Sequence, residues 1–154
     1  MIKTLTQNNS YKLLESNYIG HLAYIYRNRP FIAPTTYFFD KEKNVIICYS
    51  DEGHKIRAMR KNTAVSLEVS EIDSVNNWDA ILVHGMFKEL EGSNAKSYLH
   101  TFSLGVKDLI ILKEQRKLDF INQFSSKIYK GDVPIIFIIE IEEITGRMRR
   151  VSNT

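Results

Sequence analysis

Apolar side chains recur at two different periods along this chain. Val65, Leu67 and Val69 alternate with Ser66, Glu68 and Ser70, the period of two that marks a strand with one face in water. Residues 45–50 and 135–144 are instead near-continuous apolar runs, which suits strands covered on both faces. Residues 18–27, 31–39 and 80–91, rich in aromatic and β-branched side chains, bring the predicted strands to six. Asn28-Arg29-Pro30 reads as the tight turn of a hairpin, residues 40–44 as a polar turn, and residues 72–79 as a polar connection carrying the only tryptophan, Trp78. Gly85, after His84 inside the fifth strand, implies a bulge or a close backbone approach.

The period turns helical in four places. Ser10 can cap a short helix whose apolar face is Leu13 and Leu14, ending near Asn17. After Gly53, the spacing of Ile56, Met59 and Arg60 predicts another, ended before Thr63. Ala95, Tyr98, Leu99 and Phe102 share one face of a third, and residues 113–127 form a fourth. Six strands with few helices predict a mainly β fold, a small antiparallel β-barrel with accessory helices, in a single domain over residues 1–154.

Composition narrows the function. With 44% hydrophobic and 25% charged residues, the chain has globular proportions, and a domain of this size buries roughly 68–70% of its unfolded surface. No apolar run approaches the ~20 residues of a membrane span, and the N-terminus lacks the apolar core of a secretion signal, so the reading is cytoplasmic with no membrane partner. Cys48 sits alone in an apolar run and reads as a buried structural thiol. The net charge of +3 is spread among 18 acids, which argues weakly for an anionic ligand and against nucleic acid. The four histidines show no metal-binding spacing, and no hydrolase elbow, Walker loop or dinucleotide glycine motif is present. Glu140, Glu142 and Glu143 read as a solvated strand edge, and Arg147 to Arg150 as a solvated end.

Two segments carry candidate chemistry. Gly53-His54-Lys55 is a glycine turn that opens a helix, so backbone N–H groups, the helix field and the Lys55 ammonium can converge on an anion. Pro34, inside an apparent strand, cannot donate to a ladder and implies an edge or a bulge, leaving backbone groups beside Thr35 and Thr36 for the polar rim of a flat ring. One charge-assisted hydrogen bond nets roughly 1.5–3 kcal/mol, whereas micromolar affinity needs about 8.2 kcal/mol. The ring itself must therefore be buried, and a second copy of the chain is the natural second wall. Trp78 is the candidate for reaching across that interface, a core position being the alternative.

As an ordered set, Ile19-Gly20-His21-Leu22-Ala23, residues 30–37, residues 50–55, Val83-His84-Gly85 and residues 141–147 resemble the pyridoxamine 5′-phosphate oxidase-like flavoproteins, particularly their nitroimidazole-resistance branch. The resemblance implies a six-stranded antiparallel split β-barrel of the FMN-binding type, working as a homodimer with FMN at the subunit interface. It places Lys55, Ser50 and His54 at the phosphate, the backbone of Pro34, Thr35 and Thr36 at the ring, Tyr49 and Ser50 along the ribityl chain, and Trp78 from the other subunit. In the nitroimidazole branch a histidine stands where this chain has Tyr49, which argues against nitroimidazole reduction. True pyridoxamine phosphate oxidases carry a C-terminal Arg-x-His pair, and residues 146–150 hold no histidine, which argues against pyridoxamine oxidation. The reading is an FMN-dependent oxidoreductase with a small-molecule redox substrate and no identified acid or base. A flavin- or haem-binding storage or sensor protein, and a cofactor-free dimer, are the alternatives, and the sequence does not separate FMN from FAD, the deazaflavin F420 or haem.

Overall fold

In the computed structural model, which describes residues 1–114 and 134–152, one antiparallel sheet curls until its ends meet. The elements in chain order are β1 (Ile2–Thr4), α1 (Gln7–Glu15), β2 (Ile19–Tyr26), β3 (Arg29–Asp40), β4 (Val45–Ser50), α2 (His54–Lys61), β5 (Ala64–Ser74), β6 (Asn77–Leu90), α3 (Gly92–Glu114) and β7 (Ile135–Arg150). The strand order is β1-β7-β4-β3-β2-β5-β6, and β6 also pairs with β7. The six expected strands, β2 to β7, therefore close the barrel, which leaves few open edges. β1 is a seventh strand, three exposed residues laid against residues 147–149, too short to show any period.

The barrel interior holds Leu22, Tyr37, Ile46, Cys48, Leu67, Val83, Phe137 and Ile139, joined by Leu13 and Leu14 of α1 and Ile56 and Met59 of α2. A second cluster lies outside the barrel, where Leu99, Phe102, Val106 and Ile110 of α3 cover Val45, Ile47, Ile136 and Ile138. β4 and the start of β7 thus bury both faces, the physical cause of their unbroken apolar runs. β5 keeps its alternation because Val65, Leu67 and Val69 face the interior while Ser66, Glu68 and Ser70 do not.

Several sequence expectations need correction. Thr6, not Ser10, caps α1: its Oγ1 accepts from the Asn9 N–H at 3.1 Å, while Ser10 lies inside the helix and donates its hydroxyl to the Thr6 carbonyl at 2.9 Å, the back-bonding open to any helical serine. The β2–β3 turn is Arg27-Asn28, both at positive φ between the paired Tyr26 and Arg29, a two-residue turn whose twist matches the strands. Residues 72–79 are no connection; they form the distal part of a β5–β6 hairpin in which Trp78 pairs with Ile72. The Arg147 to Arg150 tail is not a solvated end: it continues β7, pairing with Ala80, Asp79, Trp78 and Asn77 of β6, with buried Gly146 and partly buried Met148 alternating between arginines. Of the helix expected over 113–127, the first two residues end α3 and the rest lie outside the described residues.

The core sets an alkaline limit on stability. Burial pushes the Cys48 thiol from 9.0 up to about 12, with Lys55 acting in the opposite direction, and burial holds the Tyr37 phenol far above its ordinary 10.0. The unfolded chain releases these protons first, so stability is intact below pH 9.0 and falls as pH rises towards about 12. Each group contributes a slope of up to about 1.4 kcal/mol per pH unit. Denaturant titrations of Cys48→Ala should show a flatter loss just above pH 9.0 than the wild type; an unchanged slope would show that this thiol is not the titrating group.

Candidate cofactor-binding site

The barrel opens between β3 and β4. Their ladder runs from Asp40↔Val45 to Tyr37↔Cys48 and stops there, although β3 continues through Thr36, Thr35 and Pro34 and β4 through Tyr49 and Ser50. β4 stays with β7, pairing Tyr49 with Ile136 and Ser50 with Ile135, while β3 stays with β2, pairing Thr36, Thr35 and Pro34 with Ile19, Gly20 and His21. No register shift interrupts that ladder, so of the two alternatives Pro34 marks an edge, where a missing N–H costs no ladder bond. The Tyr37 N–H bonds the Tyr18 carbonyl, and strand alternation then turns the Thr36 N–H and the Pro34 carbonyl into the opening. Thr35 is buried, its hydroxyl 3.4 Å from the Ala33 carbonyl.

Just beyond the β4 side of the opening the chain turns into α2. Gly53 is the helix N-cap, extended and without a side-chain cap bond, and the first turn holds no acid, so the N-terminal field meets no carboxylate of its own helix. Lys55 is half-buried in that turn and acts on the Cys48 thiol. Arg60 fixes the turn by gripping Glu52 at 2.7 and 3.1 Å while also bonding Glu89 of β6 at 2.8 Å. Alternation separates Tyr49 from Ser50: the Tyr49 ring lies 5.2 Å from Phe102 of α3, whereas the Ser50 hydroxyl donates to the Asp51 carbonyl at 2.9 Å.

His54 stands among aromatic rings that the sequence reading did not single out. Its Nδ1 is 3.2 Å from the Tyr24 hydroxyl, and its ring lies 4.9 Å from both Tyr26 and Phe31, with Phe31 stacked on Tyr24 at 5.5 Å. The signal was present in the sequence, since Tyr24 and Tyr26 share one face of β2 and Phe31 lies across the hairpin turn.

Pro34, Thr35 and Thr36 therefore lie on β3 just past the point where its ladder with β4 stops, and Tyr49, Ser50, Gly53, His54 and Lys55 follow that point on β4 and the start of α2, whereas Trp78 lies on β6. Tyr49 pairs at the start of β7 and Trp78 with Arg149 near its end, and from Thr36 the sheet reaches Trp78 only by crossing β2 and β5 to β6. Trp78 instead lines a 450 Å³ concavity with Glu71, Asp79 and Arg150.

A family model described as pyridoxamine 5′-phosphate oxidase matches residues 6–118. The chain is 26% identical over 148 residues to an uncharacterized protein of Rhizobium meliloti strain 1021, covering 95% of this chain and 94% of that one. Its fold is similar to that of an FAD-binding protein from Mesorhizobium loti, with a TM-score of 0.74, 23% identity and 98% of each chain covered. An FAD-binding protein from Mycobacterium smegmatis aligns with a TM-score of 0.62 and 16% identity over 97% of this chain and 100% of that one. With the family model covering most of its length and a closed barrel opened between β3 and β4, this chain belongs to the pyridoxamine 5′-phosphate oxidase family.

Proposed function

We propose that this protein is an FMN-dependent oxidoreductase that works as a homodimer. The observation that carries the reading is the stop of the β3–β4 ladder at Tyr37↔Cys48, which leaves an opening with backbone donors and acceptors on one side and the first turn of α2 on the other. A flat ring with a polar rim and an anionic tail matches that chemistry at both ends. The Thr36 N–H and Pro34 carbonyl hold the rim, and Lys55 with the α2 backbone N–H groups holds the phosphate. When bound, the flavin supplies the electron-transfer chemistry, and the protein supplies position and polarity.

A second copy completes the site by covering the ring face that the opening leaves to solvent. The outer surface of the barrel offers apolar side chains for that contact, Ile19, Ile25 and Ile32 of the β2–β3 hairpin all being exposed. Trp78, which lies on β6 and not on the strands that border the opening, is the residue this arrangement would bring in from the partner.

Purification followed by a visible absorption spectrum, with mass spectrometry of the released ligand, tests the reading. The expected result is a flavin spectrum, the mass of FMN, and steady oxidation of a reduced nicotinamide nucleotide with an artificial acceptor. A bound flavin that no donor reduces would make the protein a carrier, and a colourless protein that takes up no added flavin would end the proposal.

A further inference from the structure

The opening gives Lys55 a task but not the cations beyond it. Arg57 and Lys61 lie one turn apart on α2, and Arg27 and Arg29 flank Asn28 at the tip of the β2–β3 hairpin, all four of them exposed. The two elements meet at Tyr26, whose ring centre is 5.1 Å from the Arg27 guanidinium and 5.8 Å from the Lys61 ammonium, and Arg29 pairs with Tyr26 across the hairpin. α2 contains no acid. Glu52 and Glu89, which flank it, are both held by Arg60. Among the described residues, none of Arg27, Arg29, Arg57 and Lys61 forms an ion pair with a carboxylate.

Cations gathered without counter-charges repel one another, and a surface of opposite charge relieves that repulsion. Lys61 has a local reason for its place, since a cation in the last turn suits the helix field. The arginines have none, and Arg57 one turn before Lys61 sets like charges against each other. Ile25 and Ile32 alternate with Tyr26 and Phe31 and so point from the opposite face of the hairpin. A second copy docked on those isoleucines leaves the basic ridge in solvent. No large apolar side chain is exposed on α2, which removes the anchor that a bilayer surface would take, and four cations are fewer than the roughly 6–10 phosphates of a nucleic-acid site. A small, charged, weakly held contact is instead the kind that electron-transfer proteins make. α2 also begins at the opening, and its 8 residues span only about 12 Å.

We propose that Arg27, Arg29, Arg57 and Lys61 form a docking face for an acidic one-electron carrier protein that delivers electrons to the flavin in the β3–β4 opening. Two molecules of the reduced carrier dock in turn, each losing one electron, and the flavin gains these two electrons with one proton from water. The electron delivery rests on the flavin reading above; the docking of an acidic protein surface does not.

The test uses an acidic plant-type ferredoxin as the probe. It is set against the wild type, the double variants Arg57→Gln/Lys61→Gln and Arg27→Gln/Arg29→Gln, and, as a control, Lys107→Gln, which removes an exposed cation of α3. Every side chain changed is exposed, so the variants keep the fold. Ferredoxin should bind the wild type and weaken as salt rises from about 20 to about 200 mM. Each double variant should lose about tenfold both in that affinity and in the rate at which reduced ferredoxin reduces bound FMN, with FMN affinity within about twofold throughout and Lys107→Gln unchanged. Equal binding and rate in the wild type and both double variants, or an equal loss in Lys107→Gln, would overturn the face. Ferredoxin that docks without reducing bound FMN would overturn the electron delivery. If FMN binds but ferredoxin does not, the flavin reading stands and the docking face falls. If no flavin binds but ferredoxin does, and weakens in both double variants, the docking face stands and the flavin reading falls. Binding of duplex DNA or of phosphatidylserine vesicles that is lost in the double variants, with no binding of ferredoxin, would give the ridge to that partner and end the proposal.

Discussion

Gly85→Val should lower the unfolding temperature by roughly 6–12 °C, at about 2–4 °C per kcal/mol for a chain of this length. The register of β6 on β7 slips between His84 and Gly85, where His84 faces Glu143 and Gly85 faces Ile141, leaving Glu142 as the extra residue of a bulge. The bulge brings β7 onto Gly85 so closely that a Cβ there would lie 2.4 Å from the Glu140 carbonyl oxygen and 2.7 Å from the Ile139 side chain. The first of these is backbone, fixed in the ladders with β6 and β4, so relief requires moving a strand. Overpacking in a well-filled interior costs about 1–3 kcal/mol, and a β-branched side chain against a carbonyl belongs at or above the upper end. Gly53→Ala is the contrasting control, because a Cβ at Gly53 meets nothing within 4 Å and its φ of −179° is extended. Thermal unfolding followed by circular dichroism separates the two. A Gly85→Val midpoint as high as that of Gly53→Ala would mean that the bulge relaxes at no cost.

The elements that could be read from sequence are those whose burial writes itself into side-chain type. β5 shows the period of two because one face is in the core, β4 loses it because α3 covers the other face, and the Gly85 bulge shows because only glycine fits beneath Glu140. The distal β5–β6 hairpin hides because Asp73, Ser74, Asn76 and Asn77 resemble a loop, while backbone pairing with β5 and β7 holds β6 whatever its side chains. Backbone pairing likewise makes a strand of a basic tail and of three exposed residues at the N-terminus. The candidate site was half legible. Proline at an edge and glycine before a helix named its two sides, but the opening between them depends on β4 remaining with β7 where β3 leaves it. That is a property of the whole sheet, not of a local pattern. The rings of Tyr24, Tyr26 and Phe31 share one hairpin, but His54 joins them only when α2 docks on it, so no single window of sequence holds the whole cluster.

Lys55→Ala should weaken flavin binding about tenfold to a hundredfold while leaving the unfolding temperature of the apoprotein within about 2 °C. The first figure follows from roughly 1.5–3 kcal/mol for a hydrogen bond to a charged group, at about 1.4 kcal/mol per factor of ten. The second follows from position: Lys55 is half-buried, in the first turn of α2, and forms no ion pair among the described residues, so its removal breaks no structural contact of the kind that costs more than ~0.5 kcal/mol. The neighbouring Cys48 thiol loses a cation that eased its ionisation, which matters only at alkaline pH. Lys55→Arg keeps the charge at the helix N-terminus and should recover most of the affinity, whereas a change that acted through the fold would not respond to charge. Raising the salt concentration should weaken the wild type more than Lys55→Ala, because the interaction removed is the one that ions screen. Fluorescence titration of the apoprotein with FMN measures all three effects. An affinity within about twofold of the wild type in Lys55→Ala would take the ammonium out of the phosphate end and leave the α2 backbone alone to hold the anion.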